Sequence, residues 1–301
     1  MDISVIILSY NTKDTTARCL KELNNLCTQC PSLAFQVIVV DNASTDGSVE
    51  LLQSLSLSGC NLEVVYNVQN VGFSRGNNIG LQKARGKYVL YLNSDVMVGK
   101  TSEVIRFVDL ISYMDSHLDV GALTVRVELP SGHIDPASHR GFPTPWRSLA
   151  YFLKFEKIIG ALPFLNSSVK GLLGGYHLMG EDLNTVHQID AGTAAFLFCR
   201  KESIDSLKGF DEAFFMYGED LDLCYRLKEL GQKVIWYPHY TVTHLKYQSG
   251  LQSNDSKTKQ QIRWHFYDAM EKFYLKHYKK RYCVCVNTII MSLIQLKKAL
   301  V

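Results

Sequence analysis

Four apolar runs of the sequence end in polar clusters whose side chains could do chemistry. Ser9-Tyr10-Asn11 follows the run 4–8, Asp41-Asn42-Ala43-Ser44-Thr45-Asp46-Gly47 follows 36–40, Asn93-Ser94-Asp95 follows 88–92, and His244 closes a late run at 241–245. A carboxylate at the position of Asp41 accepts from the N–H of a uracil or thymine ring or from a ribose hydroxyl, or else from backbone N–H groups of its own turn. Asp95 and His244 together suit Mg2+ or Mn2+ when a substrate diphosphate supplies the remaining oxygens, although either residue alone would be read as structural. Glu219, Asp220 and Asp222 stand at the start of a helix, behind the aromatic string 210–215. Three acids there complement the helix dipole and supply an i,i+4 pair with Arg226, and a carboxylate in an aromatic-lined pocket also acquires the raised proton affinity of a general base. The polar run 67–78 holds Asn70, Gly72, Arg75, Gly76 and Asn77; it lines the same pocket or is a loop with a helix start.

The elements that must position these residues are legible as alternation. Apolar runs at 4–8, 36–40, 63–66 and 88–92 are separated by amphipathic stretches at 15–26, 47–55, 74–84 and 103–114. Short strands that are apolar throughout, with helices between them, make a mainly parallel sheet covered on both faces. The first half is therefore α/β and Rossmann-like, and ligands of such sheets bind beyond the carboxyl ends of the strands. After a run at 122–127, an irregular stretch that opens with a turn at 130–132 and continues to about residue 190 holds five of the seven prolines and reads as a functional loop. Order resumes with a strand at 194–199, helices at 201–207 and 220–230, and strands at 233–237 and 241–245.

Composition narrows the class. The chain has 301 residues, 47% of them hydrophobic, which excludes disorder and small stapled scaffolds. Its net charge of +3 hides an asymmetry: 22 Lys/Arg against 26 Asp/Glu in residues 1–250, and 10 against 3 in residues 251–301. A basic end on an acidic body argues against a nucleic-acid partner and for an anionic surface. The tail carries two helical stripes, Ile262, Phe266, Met270 and Phe273, then Val286, Ile289, Ile290, Leu293 and Ile294. Lys279-Lys280-Arg281 and Lys297-Lys298 flank the second, so the tail is expected to lie on an anionic membrane as an amphipathic helix. Eight scattered cysteines, with Cys27-Thr-Gln-Cys30 lacking a second pair at zinc spacing, indicate reduced thiols in an intracellular setting. Neither a signal peptide nor a membrane-spanning helix is expected.

With these residues in hand, the chain resembles a family 2 glycosyltransferase of the GT-A fold, most like the bacterial rhamnosyltransferase group. The resemblance runs from Ile3 to about Tyr278, on the strings 5–11, 37–48, 70–78, 92–95, 209–227 and 242–244 in the family's order. It implies an α/β GT-A fold, a mixed but mostly parallel sheet flanked by helices, with a catalytic domain at 1–250, an acceptor loop region at 130–190 and a basic helical tail at 251–301. It implies that Ser9, Tyr10, Asn11 and Asp41 hold a donor nucleoside, with Asn70, Arg75, Asn77, Asn93 and Ser94 around the same ligand. Asp95, in the place of the last Asp of the family's Asp-x-Asp motif, and His244 would bind Mg2+ or Mn2+. Asp220 would be the base of an inverting single displacement, beside Glu219. Asn93 replaces the first Asp of that motif, and the family's Trp-x-x-Gly-Ala stretch stands here as 189–194, with Gly192 and Thr193 as candidate acceptor or phosphate contacts. Gln260-Gln-Ile-Arg263-Trp264 matches the Gln-x-x-Arg-Trp motif of processive synthases, where Arg263 would meet phosphate and Trp264 the acceptor; the competing reading is a chance pattern in an amphipathic helix whose stripe already accounts for Ile262. The implied partners are a nucleoside-diphosphate sugar, with dTDP-L-rhamnose first, and a glycan or lipid-linked acceptor. Implied too are peripheral contact with the inner face of the cell membrane from the cytoplasm, and self-association. A non-catalytic sugar-nucleotide binding module is the competing class. The sequence contains no Gly-rich phosphate loop after the first strand, no G-x-G-x-x-G fingerprint and no Walker loop.

Overall fold

Strands β1 (Ile3–Ser9) and β2 (Phe35–Asp41) are buried along almost their whole length, because helices cover both faces of the sheet they share. The computed structural model describes residues 1–99, 106–161, 166–246 and 256–301. Between and after those strands come α1 (Lys13–Thr28), α2 (Ser48–Ser54), β3 (Asn61–Tyr66), α3 (Phe73–Leu81), β4 (Tyr88–Leu92), β5 (Val96–Met97), α4 (Phe107–Ser116) and β6 (Val120–Glu128). The 130–190 segment then forms a 3-10 turn (Pro136–Ser138), α5 (Pro145–Phe152), α6 (Phe155–Ala161) and α7 (Ser167–Leu173). The chain continues through β7 (His187–Ile189), β8 (Phe196–Arg200), α8 (Lys201–Ser206), α9 (Glu219–Glu229), β9 (Lys233–His244), α10 (Ser256–His277) and α11 (Val284–Ala299).

The strands form one mixed sheet in the order β3-β2-β1-β4-β8-β6-β9-β5, with β7 paired to β9. β1 pairs in parallel with both β2 and β4, β2 with β3, and β6 with β9. Because β8 is antiparallel to both β4 and β6, those two point the same way. Six strands therefore end on one edge of a mostly parallel sheet. On one face Cys19, Leu20 and Leu23 of α1 and Phe107 and Leu110 of α4 cover Val5, Ile7, Val37 and Val39. On the other, α3 lies so close that a Cβ at Gly76 or Gly80 would stand 2.4 Å from Leu8 or 2.5 Å from Ile6. Only glycine lets the helix backbone settle there.

The structure corrects several expectations. The strands expected at 233–237 and 241–245 are the single strand β9, whose register against β6 slips between Val125 and Arg126, opposite Tyr237 and Thr241. That irregularity accommodates Pro238, which cannot donate to a regular ladder. The 130–190 segment is not irregular throughout: Thr144 caps α5 and Asn166 caps α7, but helices of seven or eight residues are too short to show a period. The helix expected at 103–114 is α4, and its expected start at 103–105 lies outside the described residues.

The tail stripes also rotate. α10 buries Ala269, Phe273 and Tyr274, whereas Phe266 is 41% exposed; α11 buries Ile294 and turns Ile289 and Leu293 outward. What fixes α10 is charge as well as packing. Fully buried Asp222 of α9 accepts from Arg226 Nε at 2.7 Å and His277 Nε2 at 2.7 Å, and lies 2.7 Å from Lys276 Nζ. Burial would raise this carboxyl, but the hydrogen bond from His277 and the Arg226 charge outweigh it and hold it below its ordinary value of 3.8. A depressed carboxyl stabilises the fold above that ordinary value and stops doing so as pH falls through the folded one. Asp222→Ala should cost about 3–5 kcal/mol in urea unfolding at neutral pH, since it removes the fully buried carboxylate shared by Arg226, Lys276 and His277. A loss below about 1 kcal/mol, the range of an exposed pair, would contradict this account of the tail.

Candidate active site

The edge where the six parallel strands end gathers the polar clusters. Asp41 is the last residue of β2 and is 1% exposed. Its Oδ2 accepts from the Ser44 N–H at 2.9 Å, while its Oδ1 is buried with no hydrogen-bond partner. One oxygen thus shapes the turn and the other remains for a donor supplied by a ligand. An unpaired buried carboxylate oxygen is costly unless a ligand or water meets it. Asn11, in the left-handed region at φ 52°, accepts from the Thr45 N–H at 2.7 Å through its Oδ1 and donates its own backbone N–H to Ser44 Oγ at 3.0 Å. Tyr10 beside it is 38% exposed.

Other residues expected around the donor are engaged in scaffolding. Ser9 Oγ joins Thr12 and Thr16, and Thr12 Oγ1 reaches Ser94 Oγ at 3.1 Å, so Ser9 and Ser94 tie the ends of β1 and β4 together. Asn77 donates to the Phe73 carbonyl at 3.0 Å within α3. Asn70 accepts from Asn42 at 2.8 Å, and Asn42 also holds the Asn67 amide and the Val71 N–H. Arg75 is exposed and 3.8 Å from Glu212. Asn93 is half-buried in the turn before Asp95, and its backbone N–H reaches the Ala195 carbonyl at 3.1 Å.

Two-residue β5 pairs Val96 with His244 and so sets Asp95 against the end of β9. His244 Nε2 lies 3.3 Å from Asp95 Oδ1, and its Nδ1 lies 3.0 Å from Asp135 Oδ2. Asp135 is fully buried and also receives Lys246 at 2.8 Å and the Ala137 N–H at 3.0 Å. Burial would lower the His244 imidazole, but its two carboxylate partners outweigh that and raise it to about 9. Asp135 was not legible as a site residue: it reaches β9 across 109 residues, and locally it reads only as the cap of the 3-10 turn. A histidine that is held at Nδ1 by a carboxylate presents Nε2, here beside a second carboxylate, to a metal. Among the described residues no group of three or more His, Cys, Asp or Glu gathers for a metal; a divalent cation here would take Asp95 and, once its imidazole gives up a proton, His244, with its other ligands from substrate oxygens and water.

The start of α9 carries the acid pair. Tyr217 at φ 68° and Gly218 at φ 77° reverse the chain, so that Glu219 and Asp220 occupy the first turn, where the helix dipole favours carboxylates. Asp220 Oδ2 meets Arg140 Nη2 at 2.7 Å, both side chains about nine-tenths buried, and Asp220 Oδ1 accepts from the Leu221 N–H at 2.7 Å. Glu219 Oε2 is buried without a partner. Burial and the neighbouring Asp220 charge push the Glu219 carboxyl up to about 8. The raised proton affinity expected in this pocket thus falls on Glu219, while Asp220 is held by a guanidinium that no local pattern announced. Arg140 Nη2 also donates to the Gly192 carbonyl at 2.6 Å, and Thr193 Oγ1 accepts from the Ala195 N–H, which places the 191–195 turn beside the acids.

Arg263 and Trp264 lie on α10. Arg263 is exposed, and Trp264 is covered by Lys298 Nζ at 4.4 Å from the ring, a cation–π contact between α10 and α11. Their neighbour His265 stacks on Phe215 at 4.9 Å, and the Phe215 carbonyl accepts from the Phe73 N–H. Packing accounts for this stretch of α10.

Comparisons with known proteins agree with this architecture. The sequence matches the family model of Glycosyl transferase family 2 over residues 4–164. It is 23% identical over 270 residues to Rhamnosyltransferase WbbL of Escherichia coli, covering 87% of this chain and 89% of that one. It is 26% identical over 246 residues to the Pre-mycofactocin glycosyltransferase of Mycobacterium tuberculosis, covering 81% of this chain and 42% of that one. With the Poly(ribitol-phosphate) beta-glucosyltransferase of Bacillus spizizenii the match is 29% over 124 residues and spans only 19% of the relative's length. Among solved structures, S. aureus TarS 1-349 superposes with a TM-score of 0.57 at 18% identity, over 91% of this chain and 65% of that one. Mannosyltransferase PcManGT from Pyrobaculum calidifontis, in complex with GDP-Man and Mn2+, gives 0.54 at 15% identity, over 90% and 63%. These likenesses establish the GT-A fold, and the family match over more than half of the sequence shows that the chain belongs to glycosyl transferase family 2.

Proposed function

We propose that the protein is an inverting, metal-dependent transferase that moves a sugar from a nucleoside-diphosphate donor to a hydroxyl of a saccharide or lipid-linked acceptor during assembly of a cell-surface polysaccharide. The observation that carries this reading is the sharing of one sheet edge by three groups: the open Asp41 oxygen, the Asp95–His244 pair and the Glu219–Asp220 acid pair. Catalysis belongs to residues 1–250 in this reading, with 130–190 shaping the acceptor side and 251–301 as the tail. L-Rhamnose from a dTDP donor is the first candidate, supported by the near full-length match to a rhamnosyltransferase. A UDP-sugar is next, supported by TarS complexes with UDP and UDP-GlcNAc.

The chemistry follows from the residues. Asp41 Oδ1 accepts the ring N–H of a uracil or thymine base and so orients the nucleoside. Asp95 and His244 would hold Mg2+ or Mn2+, which when bound supplies Lewis-acid neutralisation of the departing diphosphate. Asp220 accepts the proton of the acceptor hydroxyl as that oxygen attacks the anomeric carbon. The bond from that carbon to the diphosphate oxygen breaks with its electron pair, and the configuration inverts. Incubating the protein with a panel of nucleotide sugars and Mg2+ or Mn2+ tests the reading. Release of a nucleoside diphosphate from a dTDP- or UDP-sugar is expected, and no release from any member of the panel would overturn it.

The tail gives this reading a place in the cell. Val284, Ile289, Leu293, Leu296 and Leu300 of the α11 region are more than half exposed, and exposed Lys280 and Arg281 stand at its start. No helix among the described residues is long and apolar enough to cross a membrane. An amphipathic stripe with basic flanks suits an anionic lipid surface on the cytoplasmic side, where lipid-linked acceptors reside. Co-sedimentation with anionic liposomes should drop by at least about tenfold when residues 279–301 are removed, because an apolar stripe and its basic residues each contribute on the order of kcal/mol. Unchanged sedimentation would contradict the assignment.

A further inference from the structure

We infer that Arg140, from the 130–190 segment, is the positioning residue of the acid pair: it clamps the Asp220 carboxylate to the Gly192 carbonyl and keeps Asp220, rather than Glu219, as the proton acceptor of the transfer. The inference rests on the transferase reading above and assigns a role that neither the family's motifs nor the sequence pattern gives to this residue.

Three observations carry it. Arg140 Nη2 stands 2.7 Å from Asp220 Oδ2 and 2.6 Å from the Gly192 oxygen, so one nitrogen joins the acid to the 191–195 turn. The Arg140 backbone exchanges both hydrogen bonds with Ala191, at 3.1 and 2.9 Å, which fixes where the side chain starts. Arg140 Nε is buried without a partner, so the guanidinium keeps an unspent donor inside the site, suited to an oxygen of the bound acceptor. The acids see few other charges. Arg140 and Tyr176 approach from the 130–190 segment, and Asp222 and Cys224 from α9 itself.

Two carboxylates at adjacent positions cannot both ionise freely, and a cation on one of them directs the shared proton to the other. With the guanidinium on Asp220, the proton resides on Glu219, in keeping with its raised carboxyl and unpartnered Oε2. Without the guanidinium nothing distinguishes the two carboxylates as sites for the shared proton.

The test is the pH profile of kcat/KM for transfer in the wild type, Arg140→Met and Arg140→Lys, with donor KM and thermal melting measured alongside. In Arg140→Met the acidic limb should move up by one pH unit or more and kcat at pH 7 should fall at least tenfold, with donor KM within threefold. Arg140→Lys, which keeps the charge and guards against a merely unfolded Met variant, should restore the wild-type limb. If both variants lose rate in parallel with melting temperature while the limb stays put, Arg140 is a structural staple and the inference fails. Wild-type protein that transfers no sugar from any donor would instead overturn the transferase reading, and this inference with it.

Discussion

Replacing Asp220 by Asn should lower the turnover of sugar transfer by about 10²- to 10⁴-fold, the range over which a positioned general base acts. The amide preserves the shape of the carboxylate and can still accept from the Leu221 N–H, now at 2.7 Å, but it cannot take up a proton. Donor KM should stay within a few-fold, because the nucleoside end of the crevice is organised by Asp41 and Asn11 on other elements. Steady-state kinetics with the donor identified in the panel checks this, with circular dichroism to confirm that Arg140 survives the loss of its counter-charge. Equal rates in the variant and the wild type would remove Asp220 from the base role. Glu219→Gln should behave differently. Burial and Asp220 place the Glu219 carboxyl at about 8, so at neutral pH it is mostly protonated and its amide is a fair mimic. The variant should keep activity at pH 7 within about tenfold and lose whatever rate change the wild type shows near pH 8, as one group's ionisation is removed.

The second large effect is at the cation position. Asp95→Ala should reduce kcat/KM for the donor by at least about 10²-fold, more than the 10- to 100-fold typical of groups that only support a ligand, and excess Mg2+ or Mn2+ should not restore it. Asp135→Asn, which touches His244 Nδ1 and not the cation side, should fall within that lower range. The graded pair is the informative part: a direct ligand and its supporting carboxylate predict different sizes of loss. Activity of Asp95→Ala that equals the wild type, in the presence of a chelator, would refute the assignment of the cation to this pair.

How much of this was written in the sequence depended on whether the signal was local. Runs that are apolar throughout, such as 36–40, announce buried parallel strands, and the polar residue that ends each one is already at the edge where ligands bind. Asp41 and Asp95 could be singled out for that reason, and Asp220 as one of three acids at a helix start behind an aromatic string. Arg140 and Asp135 could not, because each meets its partner across 80 and 109 residues and leaves from a segment without a readable period. β5 and β7, of two and three residues, are too short for any alternation, yet β5 is what brings Asp95 to His244. α11 misled for a different reason: it has apolar residues on two faces, one packed on α10 through Ile294 and one facing outward through Ile289 and Leu293. Periodicity shows that such a helix is amphipathic without saying which stripe is inside.

Hydroxyl and amide residues at strand ends carry a weaker signal than the acids. Ser9 and Ser94 sit where a ligand would pass, but neighbouring hydroxyls satisfy them. A carboxylate oxygen left open in a buried position, as in Asp41 and Glu219, cannot be satisfied so cheaply and points outward to a ligand or a proton.

The central claim is that a carboxylate at the start of α9 activates the acceptor for one direct displacement, with no covalent sugar intermediate. The anomeric configuration of the product formed at early times, read by proton NMR with the donor that the panel identifies, tests it most directly. The account predicts a product of inverted configuration. A product that retains the donor's configuration would require a nucleophile on the opposite face of the sugar and would contradict the account.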